Sequence, residues 1–84
     1  MEFKEKARAE LGRMNVKFEA EAFIGAAKEG DHPVVELFLA AGMAPEARDQ
    51  EGNTALTAAA RAGRREIVRT LLEKGADRFI DVIR

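Results

Sequence analysis

The chain lacks the residues on which several kinds of site depend. Its 84 residues include no cysteine, serine, tryptophan or tyrosine, and only one histidine, His32. Without cysteine there is no disulfide framework and no thiolate metal site, and the chain has no serine or cysteine nucleophile for a catalytic triad. One histidine with scattered carboxylates does not make a zinc site. We therefore expect no catalytic residues, no metal, no cofactor and no enzymatic activity.

The chain also lacks a dominant charge and a long hydrophobic run. Its 14 basic and 15 acidic residues leave a net charge of −1, which gives no field that attracts nucleic acid or an anionic membrane. No apolar run approaches the length that spans a bilayer. Four of the first six residues are charged, and they are not followed by the apolar core of a signal peptide. We expect one domain over residues 1–84, cytoplasmic, with neither nucleic acid nor membrane as a partner.

An internal repeat organises the sequence. A shift of 33 residues aligns Ala26-Ala27 with Ala59-Ala60 without a gap. In each copy, apolar residues at helical spacing precede a glycine, and a bulkier apolar stripe follows it, which predicts two helices joined by a tight break. The same shift pairs Phe23 with Leu56, Gly30 with Gly63, Val35 with Val68, Leu39 with Leu72, and Gly42 with Gly75.

The second copy contains turn and capping signals as well. Asp49 and Gly52 fit the first and fourth positions of a type I turn, and Thr54 fits a helix N-cap. Leu56, Ala59 and Ala60 are predicted to share one inward helical face. The glycines from Gly25 to Gly75 fit no phosphate-binding loop, and we expect them to separate helices.

The stretch Asp49–Asp77 resembles the ankyrin repeat, whose pattern is roughly D-x-x-G-x-T-P-L-H-x-A-A-x-x-G followed by I-V-x-x-L-L-x-x-G-A-D. The chain departs from it at Ala55, where the family prefers proline, and at Thr57, where it prefers histidine. A period of 33 is the length of an ankyrin unit. The resemblance implies an all-α, ankyrin-like helical solenoid with a leading helix and two helix–turn–helix repeats. The predicted parts are the leading helix at 2–14, a first repeat that serves as N-terminal cap at 19–49, a second repeat at 50–77, and an apolar tail at 78–84.

The resemblance also implies a function, because turn tips and first helices of ankyrin repeats line a concave surface that binds other proteins. The contact positions that it implies here are Gln50, Glu51 and Asn53 in the turn, with Arg61 and Ala62 near the end of the following helix. The leading interpretation is therefore a non-catalytic protein–protein interaction module with another protein as its partner. Arg61 also belongs to a group of arginines near the helix break, but residues 43–84 hold 8 basic and 7 acidic residues, as a solvated face does.

The C-terminal tail contains four large apolar residues, Phe79, Ile80, Val82 and Ile83. Three interpretations remain open at this point. The tail folds back as a cap on the second repeat, or it pairs with another copy, since exposed apolar patches mark interfaces, or the chain is part of a longer array. The second interpretation gives an alternative function, a self-assembling structural unit that dimerises through this end.

Overall fold

Five helices form the part of the chain that the structure, a computed structural model, describes, which is residues 2–74. Within that range there is no β-strand, and only Arg48 and Thr54 form an isolated β-bridge. The all-α prediction is confirmed. The tail residues Phe79, Ile80, Val82 and Ile83 lie outside the described residues. The helices are α1 (Glu2–Arg13), α2 (Ala20–Glu29), α3 (His32–Ala40), α4 (Ala55–Arg61) and α5 (Arg65–Glu73).

The 33-residue repeat is visible in the backbone where α2 and α4 end. Gly30 and Gly63 have φ values of +83° and +77°, in the left-handed region that glycine adopts without strain. The next N–H in each case turns back onto the helix: Asp31 donates to the Ala26 carbonyl at 2.9 Å, and Arg64 donates to the Ala59 carbonyl at 2.8 Å. These are Schellman-type ends, and each redirects the chain into the second helix of its pair.

Helix α1 ends as α3 does, at an offset of 27 residues. The Val16 N–H donates to the Leu11 carbonyl at 2.9 Å, and the Met43 N–H donates to the Phe38 carbonyl at 2.9 Å. Left-handed residues, Asn15 and Gly42, precede the donors. Because α1 also packs on α3, α1 occupies the place of an outer helix from a preceding unit. The offset is below 33 because the link from α1 to α2 is too short to contain a turn like the one before α4.

The core lies between the inner pair α2 and α4 and the outer helices. The largest side chains that are fully buried are Leu11, Phe23, Val35, Phe38 and Leu71, which come from all helices except α4. The Phe38 ring lies 5.7 Å from the Phe18 ring and 5.5 Å from the Phe23 ring, centroid to centroid. Each side chain of this size contributes about 1.5–3 kcal/mol when fully buried. The aromatic trio therefore joins the first repeat to the link from α1.

Three sequence expectations need correction. Gly25 does not separate helices, because it lies inside α2. Ala60 is exposed and Leu56 only half-buried, since α4 turns Ala55 and Ala59 toward α2. Leu72 is 45% exposed, whereas Leu71 beside it is buried, because no helix among residues 2–74 packs on the outer side of α5.

Candidate binding surface

A tight turn projects from the chain before α4, and we call residues 48–54 the finger. Its backbone closes on itself: the Asp49 N–H donates to the Asn53 carbonyl at 3.0 Å, and the Gly52 N–H donates to the Asp49 carbonyl at 3.0 Å. Gly52 has a φ of +85°, which explains why a glycine follows Asp49 at this spacing. The prediction of a turn over these residues is confirmed.

The Asp49 carboxylate holds the finger in shape. Its Oδ1 accepts from the backbone N–H groups of Asn53 at 2.8 Å and Glu51 at 2.9 Å, and its Oδ2 accepts from the Asn53 side-chain amide at 3.2 Å. These hydrogen bonds, the strongest from the Asn53 backbone, hold the pKa of the Asp49 carboxyl below its usual 3.8. The Asn53 amide also donates to Glu51 Oε1 at 3.3 Å, so the Glu51 carboxylate is positioned by its neighbours.

The chain then enters α4 through a capped first turn. The Thr54 hydroxyl accepts from the Thr57 N–H at 3.2 Å, as the N-cap prediction requires. On the other side of the turn, the Arg48 guanidinium donates to the Gly52 carbonyl at 3.0 Å. The Thr54 cap therefore links the finger to α4, and the Arg48 hydrogen bond closes the finger on itself.

A cleft of about 440 Å³ opens between the finger and the inner helices. Its floor is made of small and aliphatic residues, and charged side chains stand around it. An added methyl group at Gly25 would meet no atom within 4 Å, so the floor is open there. The lining residues are Glu21, Ile24, Gly25 and Lys28 from α2, Asp49, Glu51 and Asn53 from the finger, and Ala58, Arg61 and Ala62 from α4.

The charges of the cleft are separated by sign. Glu21 in the first turn of α2 and Glu51 in the finger are acidic, whereas Lys28 in the last turn of α2 and Arg61 at the end of α4 are basic. Glu21 and Lys28 are seven residues apart on α2. At a rise of 1.5 Å per residue, the acidic and basic ends of the cleft are therefore about 10 Å apart. Within residues 2–74, Arg13 forms an ion pair with Glu10 and His32 Nε2 lies 3.5 Å from a Glu36 carboxylate oxygen, so neither contact involves these four groups.

A family model described as ankyrin repeats (3 copies) matches residues 4–80. The chain belongs to the ankyrin-repeat family. Comparison with curated proteins and with solved structures finds no match. The family match begins inside α1, in agreement with its place as an outer helix. Ankyrin repeats are generally protein–protein interaction modules, and the family is typically non-catalytic.

The ankyrin cleft brings together four of the five contact residues expected from the sequence. Glu51, Asn53, Arg61 and Ala62 line it, whereas Gln50 is exposed on the finger and is not among the lining residues. Sequence reasoning missed the wall contributed by α2, although the repeat contained the signal. Lys28 lies 33 residues before Arg61, so the same shift that relates the repeats leads from the expected residue to the missed one.

Other polar side chains join the two ankyrin units rather than lining the cleft. His32 Nε2 and Thr70 Oγ1 share a hydrogen bond of 2.8 Å between α3 and α5. Arg64 Nε donates to the Lys28 carbonyl at 3.0 Å, and its guanidinium lies over Gly30. The half-buried His32 and the Arg64 side chain therefore stabilise the stacking of the repeats.

Residues 2–74 contain no group of three or more histidine, cysteine, aspartate or glutamate side chains arranged to hold a metal ion. None of the five helices is long and apolar enough to cross a lipid bilayer.

Proposed function

We propose that this ankyrin-repeat chain is a non-catalytic interaction module that binds a segment of a partner protein in the cleft. The observation that supports the proposal is the locked finger beside an open cleft. A carboxylate with three hydrogen bonds fixes the turn before any partner arrives. Binding to such a surface costs little ordering entropy. The contact residues Glu51, Asn53, Arg61 and Ala62 then act from fixed positions, and Gln50 adds a contact at the finger tip.

The extent of the cleft determines the kind of complex. Specific interfaces of ordinary size bury about 800 Å² on each partner, and two inner helices with one finger offer less than that. The module therefore takes a short segment of its partner rather than a whole domain surface. Affinity in such a complex depends on a few well-placed groups.

The test is a selection from a displayed library of random peptides on the immobilised protein. Peptides that bind the cleft should lose binding to an Ala62→Gln variant, because the larger side chain enters the lined volume. Ala40→Gln is the matched control, since Ala40 is also an exposed alanine near a helix end but lies on α3, outside the cleft. A selection that yields no peptide sensitive to Ala62→Gln contradicts the proposal.

One observation favours the alternative function, self-assembly through the C-terminal end. Leu39 on α3 is half-buried, whereas its counterpart Leu72 on α5 is 45% exposed. The apolar face of α5 is therefore partly exposed. In this alternative, two copies dimerise and cover that face with four apolar tail residues, Phe79, Ile80, Val82 and Ile83. Light scattering after size exclusion tests this over a hundredfold range of concentration: a dimer supports self-assembly, and a monomer throughout contradicts it.

A further inference from the structure

The distribution of charge in the cleft narrows the class of partner. We propose that the cleft selects an extended segment that carries one basic and one acidic side chain about three residues apart. This inference rests on the proposed function and adds the chemistry of the segment. It is carried by three features of the cleft, which are its acidic end, its basic end and its floor.

The acidic end has two carboxylates available to a partner. Asp49 is occupied by its three hydrogen bonds within the finger, so it contributes negative charge but little capacity to bind. Glu51 accepts one hydrogen bond, on Oε1, from Asn53. Glu21 is exposed and has no ion pair among residues 2–74. A cation of the partner that lies between Glu21 and Glu51 meets both.

The basic end has the opposite character. Lys28 and Arg61 occupy the same position in successive repeats, so they lie side by side on α2 and α4. The Arg64 guanidinium donates to the Lys28 carbonyl and adds a third positive charge nearby. Like charges on neighbouring side chains repel each other. A partner carboxylate placed between Lys28 and Arg61 relieves that repulsion and accepts charge-assisted hydrogen bonds, which are stronger than neutral ones.

The floor and the distance between the two ends bear on the form of the bound segment. Gly25, Ala58 and Ala62 have no long side chains, so a partner backbone can approach closely. A partner helix, which rises 1.5 Å per residue, would need its two charged residues about seven positions apart to span the same distance, so the spacing found in selected peptides distinguishes a helix from an extended segment. An extended chain of the polyproline II type rises about 3.1 Å per residue with three residues per turn, so side chains three positions apart lie on the same face. Three residues therefore span the roughly 10 Å between the two ends, and the basic residue comes first or last according to the direction of the chain.

The peptide selection described above, read by sequencing, tests this inference. Among peptides that bind the parent and lose binding to Ala62→Gln, we expect enrichment of basic and acidic residues three positions apart, in either order. One such peptide should bind a Lys28→Gln/Arg61→Gln variant on the order of tenfold more weakly, since each exposed ion pair accounts for about a two- to fivefold effect. Added salt should weaken its binding to the parent.

Lys6→Gln/Arg69→Gln is the matched control, because it removes the same net charge at two exposed positions outside the cleft. We expect it to retain binding. Equal losses in the two double variants overturn the inference, because they indicate a response to net charge alone. Peptides that respond to Ala62→Gln but lack the paired charges overturn the inference and leave the proposed function standing. A selection without any such peptide overturns both.

Discussion

Replacing Gly25 by alanine should make the protein more stable. Gly25 lies in the middle of α2 with helical backbone angles, and a methyl group added there meets no atom within 4 Å. Glycine in a helix interior costs about 0.8–1.0 kcal/mol relative to alanine, because it loses more backbone entropy on folding. The equivalent position in the second repeat is Ala58, so the fold already accepts a methyl group at this place. The expected gain in free energy of unfolding is about 0.5–1 kcal/mol.

This gain is large enough to measure. In a domain of 60–100 residues, 1 kcal/mol shifts Tm by about 4–8 °C, so Gly25→Ala should raise Tm by about 2–8 °C. Urea and thermal unfolding followed by far-ultraviolet circular dichroism give both quantities. Gly30→Ala is the opposite control: its φ of +83° strains any residue with a Cβ, and its Cβ would lie 3.0 Å from Arg64 Nε. That variant should be less stable than the parent.

The same methyl group at position 25 enters the floor of the cleft. If the cleft is the binding surface, Gly25→Ala should weaken the binding of the selected peptides although it stabilises the fold. Gly12→Ala provides the comparison, since Gly12 is also helical and open to a methyl group but lies on α1. It should leave peptide binding unchanged. A lower Tm for Gly25→Ala refutes the described environment of α2, and a higher Tm with unchanged binding refutes the role of the floor.

Three further predictions concern the core, the finger and the tail. Leu71→Ala should lower the free energy of unfolding by about 2–5 kcal/mol and Leu72→Ala by about 1 kcal/mol or less, because only Leu71 is fully buried. Urea unfolding of the two variants measures both losses, and equal losses would contradict the register of α5. Because the pKa of Asp49 is lowered in the folded state, its contribution to stability is present above the usual 3.8 and is lost as the pH falls through the folded value; urea unfolding across this range should show a smaller acid loss for Asp49→Asn. Removal of residues 78–84 should abolish either folding or self-association, and a truncated monomer as stable as the parent would exclude both roles for the tail.

The repeat pattern predicted the elements that depend on local chemistry. Left-handed glycines, the Thr54 cap and the Asp49 turn each act within a few residues, so their signals are readable along the chain. The shift of 33 between Gly30 and Gly63 was also sufficient to relate the two helix pairs. For these features the sequence contains both the residues and the reason for them.

The orientation of side chains on α5 depends on neighbours that no local pattern specifies. Leu71 and Leu72 are identical in type and adjacent, yet only one is buried, because burial is decided by which side of α5 faces another helix. The sequence pattern also predicts a helix boundary at Gly25, because glycine commonly ends helices, whereas the structure places Gly25 inside α2. Glycine occurs both where a chain must turn and where a helix surface carries no side chain, and the alanine at the equivalent position, Ala58, is the signal that distinguishes these uses.

The first repeat lacks a finger, and this explains the form of the cleft. The link between α1 and α2 is too short to contain a turn like that at Asp49, so Glu21 at the start of α2 has no finger of its own repeat beside it. The finger of the second repeat borders the space next to Glu21 instead, and the two repeats together enclose one cleft. Two inner helices and one finger are thus sufficient to form a cleft that has an acidic end and a basic end. An Asp49→Asn variant, which fixes the finger less firmly, should weaken peptide binding mainly through the contacts at the acidic end. The contacts with Lys28 and Arg61 should change less.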